Sequence, residues 1–112
     1  MKNEMFYTLY GEAVQETDKD AFVSDWSLSS IWGDAEDADI PQERIDVLGE
    51  MWDAAHRTIK DVASASGKSV RQLAMKYAIP RRTAGDWSAG VSMPSAYILL
   101  MMQICEGIYK HP

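Results

Sequence analysis

The sequence holds a single cysteine, Cys105, among 112 residues. One thiol cannot close an internal disulfide, so a disulfide-stapled fold is excluded and a reducing compartment is expected. Long apolar runs are also missing. The longest, residues 96–102 (AYILLMM), is far short of the roughly 18 residues that cross a bilayer, so no membrane partner is expected. The opening Met1-Lys2-Asn3-Glu4 carries no apolar secretory stretch, which makes the cytoplasm the expected location. Internal repeats, low-complexity tracts and glycine-rich phosphate loops are absent. Histidine is scarce, and His56 and His111 have no cysteine or histidine at ligand spacing. The acidic run at residues 34–39 lacks the sixth-position glycine and the terminal glutamate of a calcium loop. No metal and no cofactor are therefore expected. Carboxylates are plentiful, but nothing places two of them in a cleft with a substrate-binding surround, so an enzyme is not expected.

What is present is enough apolar material for a core: 46% hydrophobic residues, including four Trp, five Tyr and two Phe. The length suits one compact domain or a small domain with an appended segment. Charge divides the chain. Residues 1–56 carry three basic and fourteen acidic side chains, a balance of −11, whereas residues 57–112 carry eight basic and three acidic ones, a balance of +5. The two halves together give the net −6 of the whole chain. Such polarity suggests that the C-terminal half meets a polyanion while the acidic half points away from it or holds a separate partner.

Hydrophobic spacing predicts a mainly α protein. Residues 5–10 (MFYTLY) are aromatic and β-branched and precede Gly11, which predicts a short N-terminal strand. Thr17 or Asp18 can cap a helix that Gly33 closes. Pro41 suits the first turn of the next helix. The stripe Ile45, Leu48, Trp52, Ala55, Ile59 and Val62 has helical spacing, but Thr58 and Asp61 resemble a capping box, so a break is expected near residues 56–58. Trp26, Trp32 and Trp52 read as core rather than as a ligand box. Further helices are expected over 59–66 with Gly67 as the stop, from Ser69 to about Tyr77 behind a second capping box, from Pro80 to Ala89 with Gly90 as the stop, and over 94–109. The domain reading is accordingly an acidic segment, 1–56, packed on a bundle, 57–112.

Ser69, the Leu73-Ala74 pair, Ile79 at the turn, Thr83, Trp87, Gly90 and Pro94 stand together in one ungapped register. With them, residues 58–109 resemble the lambda-repressor/Cro-like (XRE-type) helix-turn-helix domains. The resemblance implies sequence-specific binding of double-stranded DNA, as a transcriptional regulator. By that correspondence Arg81, Arg82 and Asp86 would read bases, and Lys68, Ser69, Arg71, Lys76 and Thr83 would contact phosphates. Arginine suits the role because it pairs bidentately with guanine O6 and N7. The sequence departs from the family pattern at Val70, where a phosphate-touching glutamine is favoured, at Ala78, which replaces the turn glycine, at Ala84-Gly85 and at Ser88.

The last helix is apolar on more of its circumference than one small core covers, so the N-terminal segment or a second subunit is expected to bury it. A homodimer through this helix follows from the second option. The competing expectation is a protein-interaction adaptor that keeps the helix-turn-helix fold and binds a partner through its acidic half or its apolar last helix.

Overall fold

The computed structural model describes residues 1–33 and 39–112, so the acidic linker expected at 34–39 lies, but for Asp39, outside the described residues. The protein is mainly α: the regular elements are α1 (Asn3–Gln15), α2 (Lys19–Ser27), a 3-10 turn (Ser30–Trp32), α3 (Gln42–Ala55), α4 (Ile59–Ala65), α5 (Val70–Lys76), α6 (Arg81–Ala89) and α7 (Ala96–Cys105). They form two compact units, one of Met1–His56 with Pro112, the other of Arg57–His111.

In the first unit, α1 and α2 pack on α3. The strand expected at residues 5–10 is instead part of α1, and Gly11 lies within that helix. The reason is spacing: Phe6, Leu9, Tyr10 and Ala13 are buried at i, i+3, i+4 and i+7, a helical face visible only when the window extends past the glycine. Asp18 caps α2, accepting the amides of Asp20 and Ala21 at 2.9 and 3.3 Å. The helix stops at Ser27 rather than at Gly33, and the left-handed Gly33 (φ 71°) closes the 3-10 turn instead.

The buried face of α3 also differs from the expected stripe. It runs through Arg44, Leu48, Met51 and Ala54, while Ile45, Trp52 and Ala55 are half-buried at its margin. Trp52 sits there because its indole N–H is polar: it donates to the Glu16 carbonyl at 2.9 Å. His56, stacked on Trp52 with ring centroids 3.9 Å apart, places Nε2 2.8 Å from the Ala13 carbonyl. A carbonyl only accepts, so that nitrogen carries the proton. Side chains at the end of α3 thus satisfy carbonyls at the end of α1 that have no partner within their own helix. Trp32 likewise donates to the Trp26 carbonyl at 2.7 Å and stacks beneath the Arg44 guanidinium at 4.5 Å.

The second unit is built on Ile59, Val62, Ala63, Leu73, Trp87, Leu99 and Met102, with Val70, Tyr77, Ile79, Ile98 and Ile108 packed against them. The break between α3 and α4 falls where the capping box demands it, with Thr58 and Asp61 each accepting the other's amide. All four helices of this unit end alike. A left-handed residue follows the last turn, and the amide of the next residue bonds back five positions: Lys68 to Ala63, Ile79 to Ala74, Val91 to Asp86 and Ile108 to Gln103, at 2.8–2.9 Å. Gly107 in this role ends α7 at Cys105, four residues before the expected Tyr109.

Glycine holds the left-handed position after α4, α6 and α7, but Ala78 holds it after α5, at φ 54°. A Cβ in that conformation crowds the following carbonyl at a cost of about 1–2 kcal/mol. Ala78 is exposed, so its methyl recovers little by burial. Replacing Ala78 with glycine is expected to raise the unfolding free energy by about 1 kcal/mol, the relieved strain being offset in part by the freer unfolded chain. Urea unfolding of the two proteins checks it; a glycine variant no more stable than the parent would show that the turn carries no strain.

Candidate functional site

The helix pair α5–α6 is positioned by local chemistry at both ends of α5. Ser69 Oγ accepts the Gln72 amide at 3.1 Å and Gln72 Oε1 accepts the Ser69 amide at 2.8 Å, which starts the helix sharply. The left-handed Ala78 ends it and turns Ile79 towards the core. Pro80, at φ −55°, precedes α6 where its missing amide is no loss, and its carbonyl accepts the Ala84 amide at 3.0 Å. Trp87 and Ala84 are buried and fix the inner face of α6.

That orientation decides which side chains remain available. Arg81 and Arg82 are exposed in the first turn of α6, and neither has a hydrogen bond or ion pair among the described residues. Thr83 and Asp86 are half-buried on the same helix, and the Asp86 carbonyl accepts the Val91 amide at 2.9 Å. On α5, Arg71 is exposed and equally without such a partner, and Ser69 is exposed with its hydroxyl committed to the cap. The structure brings Arg71 and Arg81 to one groove between the two helices, of about 540 Å³. Ala74 and Met75 continue its α5 wall, Ala84, Gly85 and Ser88 its α6 wall, and Ile79 closes the corner.

Lys68 and Lys76, expected to contact phosphates, are engaged within the second unit. Both reach Glu106, just past the end of α7: Lys68 Nζ lies 2.7 Å from Oε1 and Lys76 Nζ 2.5 Å from Oε2. Tyr77 also donates its hydroxyl to Oε2 at 2.6 Å. The Glu106 side chain is only 1% exposed, whereas those of Lys68 and Lys76 are 34% and 47% exposed. The hydrogen bonds from Lys68, Lys76 and Tyr77 hold the carboxyl well below its ordinary 4.5, at about 2. Burial, and the accepting, negatively charged Glu106, push the Tyr77 phenol upward. Two ammonium groups on one carboxylate leave the cluster net positive, with about a third of the Lys68 side chain and nearly half of the Lys76 side chain still facing solvent.

Sequence reasoning missed Glu106. The available signal was its isolation: of the three acids after residue 56, Asp61 belongs to a capping box and Asp86 to the exposed helix, which leaves one carboxylate among lysines without an assigned partner. Comparison with family models, with curated proteins and with solved structures finds no match to this chain.

The lowered carboxyl gives a pH dependence of known sign. Because the folded pKa of about 2 lies below the ordinary 4.5, the ionised form favours the fold; its contribution is complete above about 4.5 and is lost as pH falls towards 2. Glu106→Gln is therefore expected to lower stability at pH 7, and the gap between parent and variant should close as the pH is brought from about 5 down to about 2.5. Urea midpoints across that range measure the difference, which isolates Glu106 from the other carboxylates. A gap independent of pH would mean that the ionised carboxylate adds nothing.

Proposed function

We propose that this protein binds double-stranded DNA sequence-specifically through a lambda-repressor-like helix-turn-helix formed by α5 and α6, and acts as a transcriptional regulator in the cytoplasm. The observation that carries the reading is the pair Arg81 and Arg82, exposed in the first turn of α6 and without a side-chain partner among the described residues. A short helix packed inward through Ala84 and Trp87, with arginines at its exposed leading end, suits insertion into a major groove. Arg82 and Arg81 then read guanine edges, and Asp86 accepts from a cytosine amine or orients an arginine. Arg71, Ser69 and Thr83 then contact phosphates, with the start of α5 offering the amides that its capping box leaves free. Lys68 and Lys76 contribute through the solvent-facing part of a cluster anchored on Glu106, so they lend positive potential more than fixed contacts.

A homodimer completes the reading, since regulators of this kind bind paired half-sites. Tyr97, Met101 and Ile104, at i, i+4 and i+7 on α7, are 67%, 55% and 41% exposed, opposite the buried Leu99, Met102 and Gln103. This stripe is the surface through which a second copy would pair. The adaptor reading is favoured by a different feature, a groove of about 520 Å³ between α2 and α3 that carries Asp20, Asp46 and Glu50 beside the Lys19–Asp53 ion pair, a net acidic lining that suits a basic partner.

Selection from random duplexes followed by anisotropy titrations tests the proposal. Arg82→Ala is expected to weaken binding to the selected site by about 1–3 kcal/mol and to relax preference at one base pair. Arg71→Ala should instead weaken all duplexes alike and reduce the slope of log affinity against log salt by about 1. No duplex bound near physiological salt would reject the DNA reading and favour the adaptor. Met101→Glu should convert a dimer to a monomer in sedimentation; an unchanged mass would remove α7 as the pairing surface.

A further inference from the structure

The groove between α5 and α6 has properties that contact with a duplex backbone does not require. Its volume, about 540 Å³, falls in the range of small-molecule sites, roughly 300–1,000 Å³. Its lining is mixed, with Ala74, Met75, Ile79 and Ala84 supplying apolar surface beside the polar Arg71, Arg81 and Ser88. Met75 is 71% exposed, an unbranched side chain able to close over an apolar body. Two guanidinium groups, Arg71 from one wall and Arg81 from the other, line the same space without any carboxylate among the lining residues. Neither has a hydrogen bond or ion pair among the described residues, so both retain their donors for an incoming anion. The room exists because α6 presents Gly85 here: a Cβ built on it meets nothing within 4 Å.

We infer that this groove is a binding site for a small organic acid, a flat apolar body that packs on Ala74, Ala84 and Met75 and carries one carboxylate held between Arg71 and Arg81. Apolar lining supplies affinity for the body, and the paired arginines select for negative charge, because a guanidinium fork matches a carboxylate's two oxygens. The site is independent of the DNA reading, since it is measured on the protein alone and would stand if no duplex were bound.

The test uses the full chain and naphthoate as probe, followed by amide NMR. The expected result is a saturable titration with shifts centred on Arg71, Met75, Arg81 and Gly85. Naphthamide, equal in shape but neutral, should bind about tenfold more weakly or worse, and inorganic phosphate, which lacks the apolar body, should produce no saturable shift there. Gly85→Leu fills the groove at an exposed helical position that favours leucine over glycine, so the fold is retained while probe binding is lost. The Arg71→Gln/Arg81→Gln variant should keep the apolar contacts and lose the preference for acid over amide. The inference is overturned if naphthoate shows no saturable shift at millimolar concentration, if it binds Gly85→Leu as well as the parent, or if naphthamide binds equally.

Discussion

A carboxylate almost without solvent contact, receiving two ammonium groups and a phenol, holds the second unit in register. Glu106 lies just beyond α7, and its partners come from the loop before α5, from the last residue of α5 and from the residue that caps it. A buried carboxylate with a partner missing would be strongly unfavourable, so the three donors and the acceptor must arrive together. The result fixes both ends of α5 relative to the end of α7. Because α5 is only two turns long and has little surface of its own to bury, this polar anchor and the apolar contact of Leu73 share the work of holding it. The orientation of α6 follows from that of α5 through the turn at Ala78 to Pro80.

The same unit shows how strain is tolerated when the surroundings over-determine it. Four helices close by one backbone pattern, three with glycine and one with alanine in the left-handed position. The alanine stands in the connection between α5 and α6, where the Ile79 amide makes its bond to Ala74 at 2.8 Å and the Ile79 side chain packs into the core. Those interactions offset an unfavourable φ. The angle between α5 and α6, on which the groove between them depends, is therefore held by packing on both sides rather than by the preference of the residue at the turn.

Charge and shape are distributed to match. The first unit uses its few cations locally: Lys19 pairs with Asp53 at 3.0 Å and Arg44 donates to the Ser27 carbonyl at 3.1 Å while covering Trp32. The second unit commits two lysines to Glu106 and leaves three arginines, 71, 81 and 82, exposed around α5 and α6. Arginine is the side chain that keeps its charge and presents a planar donor fork, so the exposed set is suited to anions of defined geometry rather than to diffuse attraction. Asp86, half-buried on the same helix, is the single acid among them.

The amino-acid sequence alone determined the boundaries of α4, α5 and α6, because their caps and stops are local: Thr58 and Asp61, Ser69 and Gln72, Gly67, Pro80 and Gly90 act on neighbours within a few positions, whereas the stop of α7 at Gly107 went unread. It also placed Arg81 and Arg82 at the start of α6, since a proline before a helix leaves few alternatives. What it could not decide were matters of partner. Residues 5–10 read as a strand in a short window, and only burial of Phe6, Leu9, Tyr10 and Ala13 along one face made them helical. Trp52 stands at the margin of α3 because the carbonyl of Glu16, the residue that caps α1, claims its indole. Lys68 and Lys76 looked free for phosphates because Glu106 lies 38 and 30 residues away, beyond any local motif. Backbone preferences act over one turn of helix and are written in adjacent residues; a buried charge finds its counter-charges only once the chain has folded back on itself.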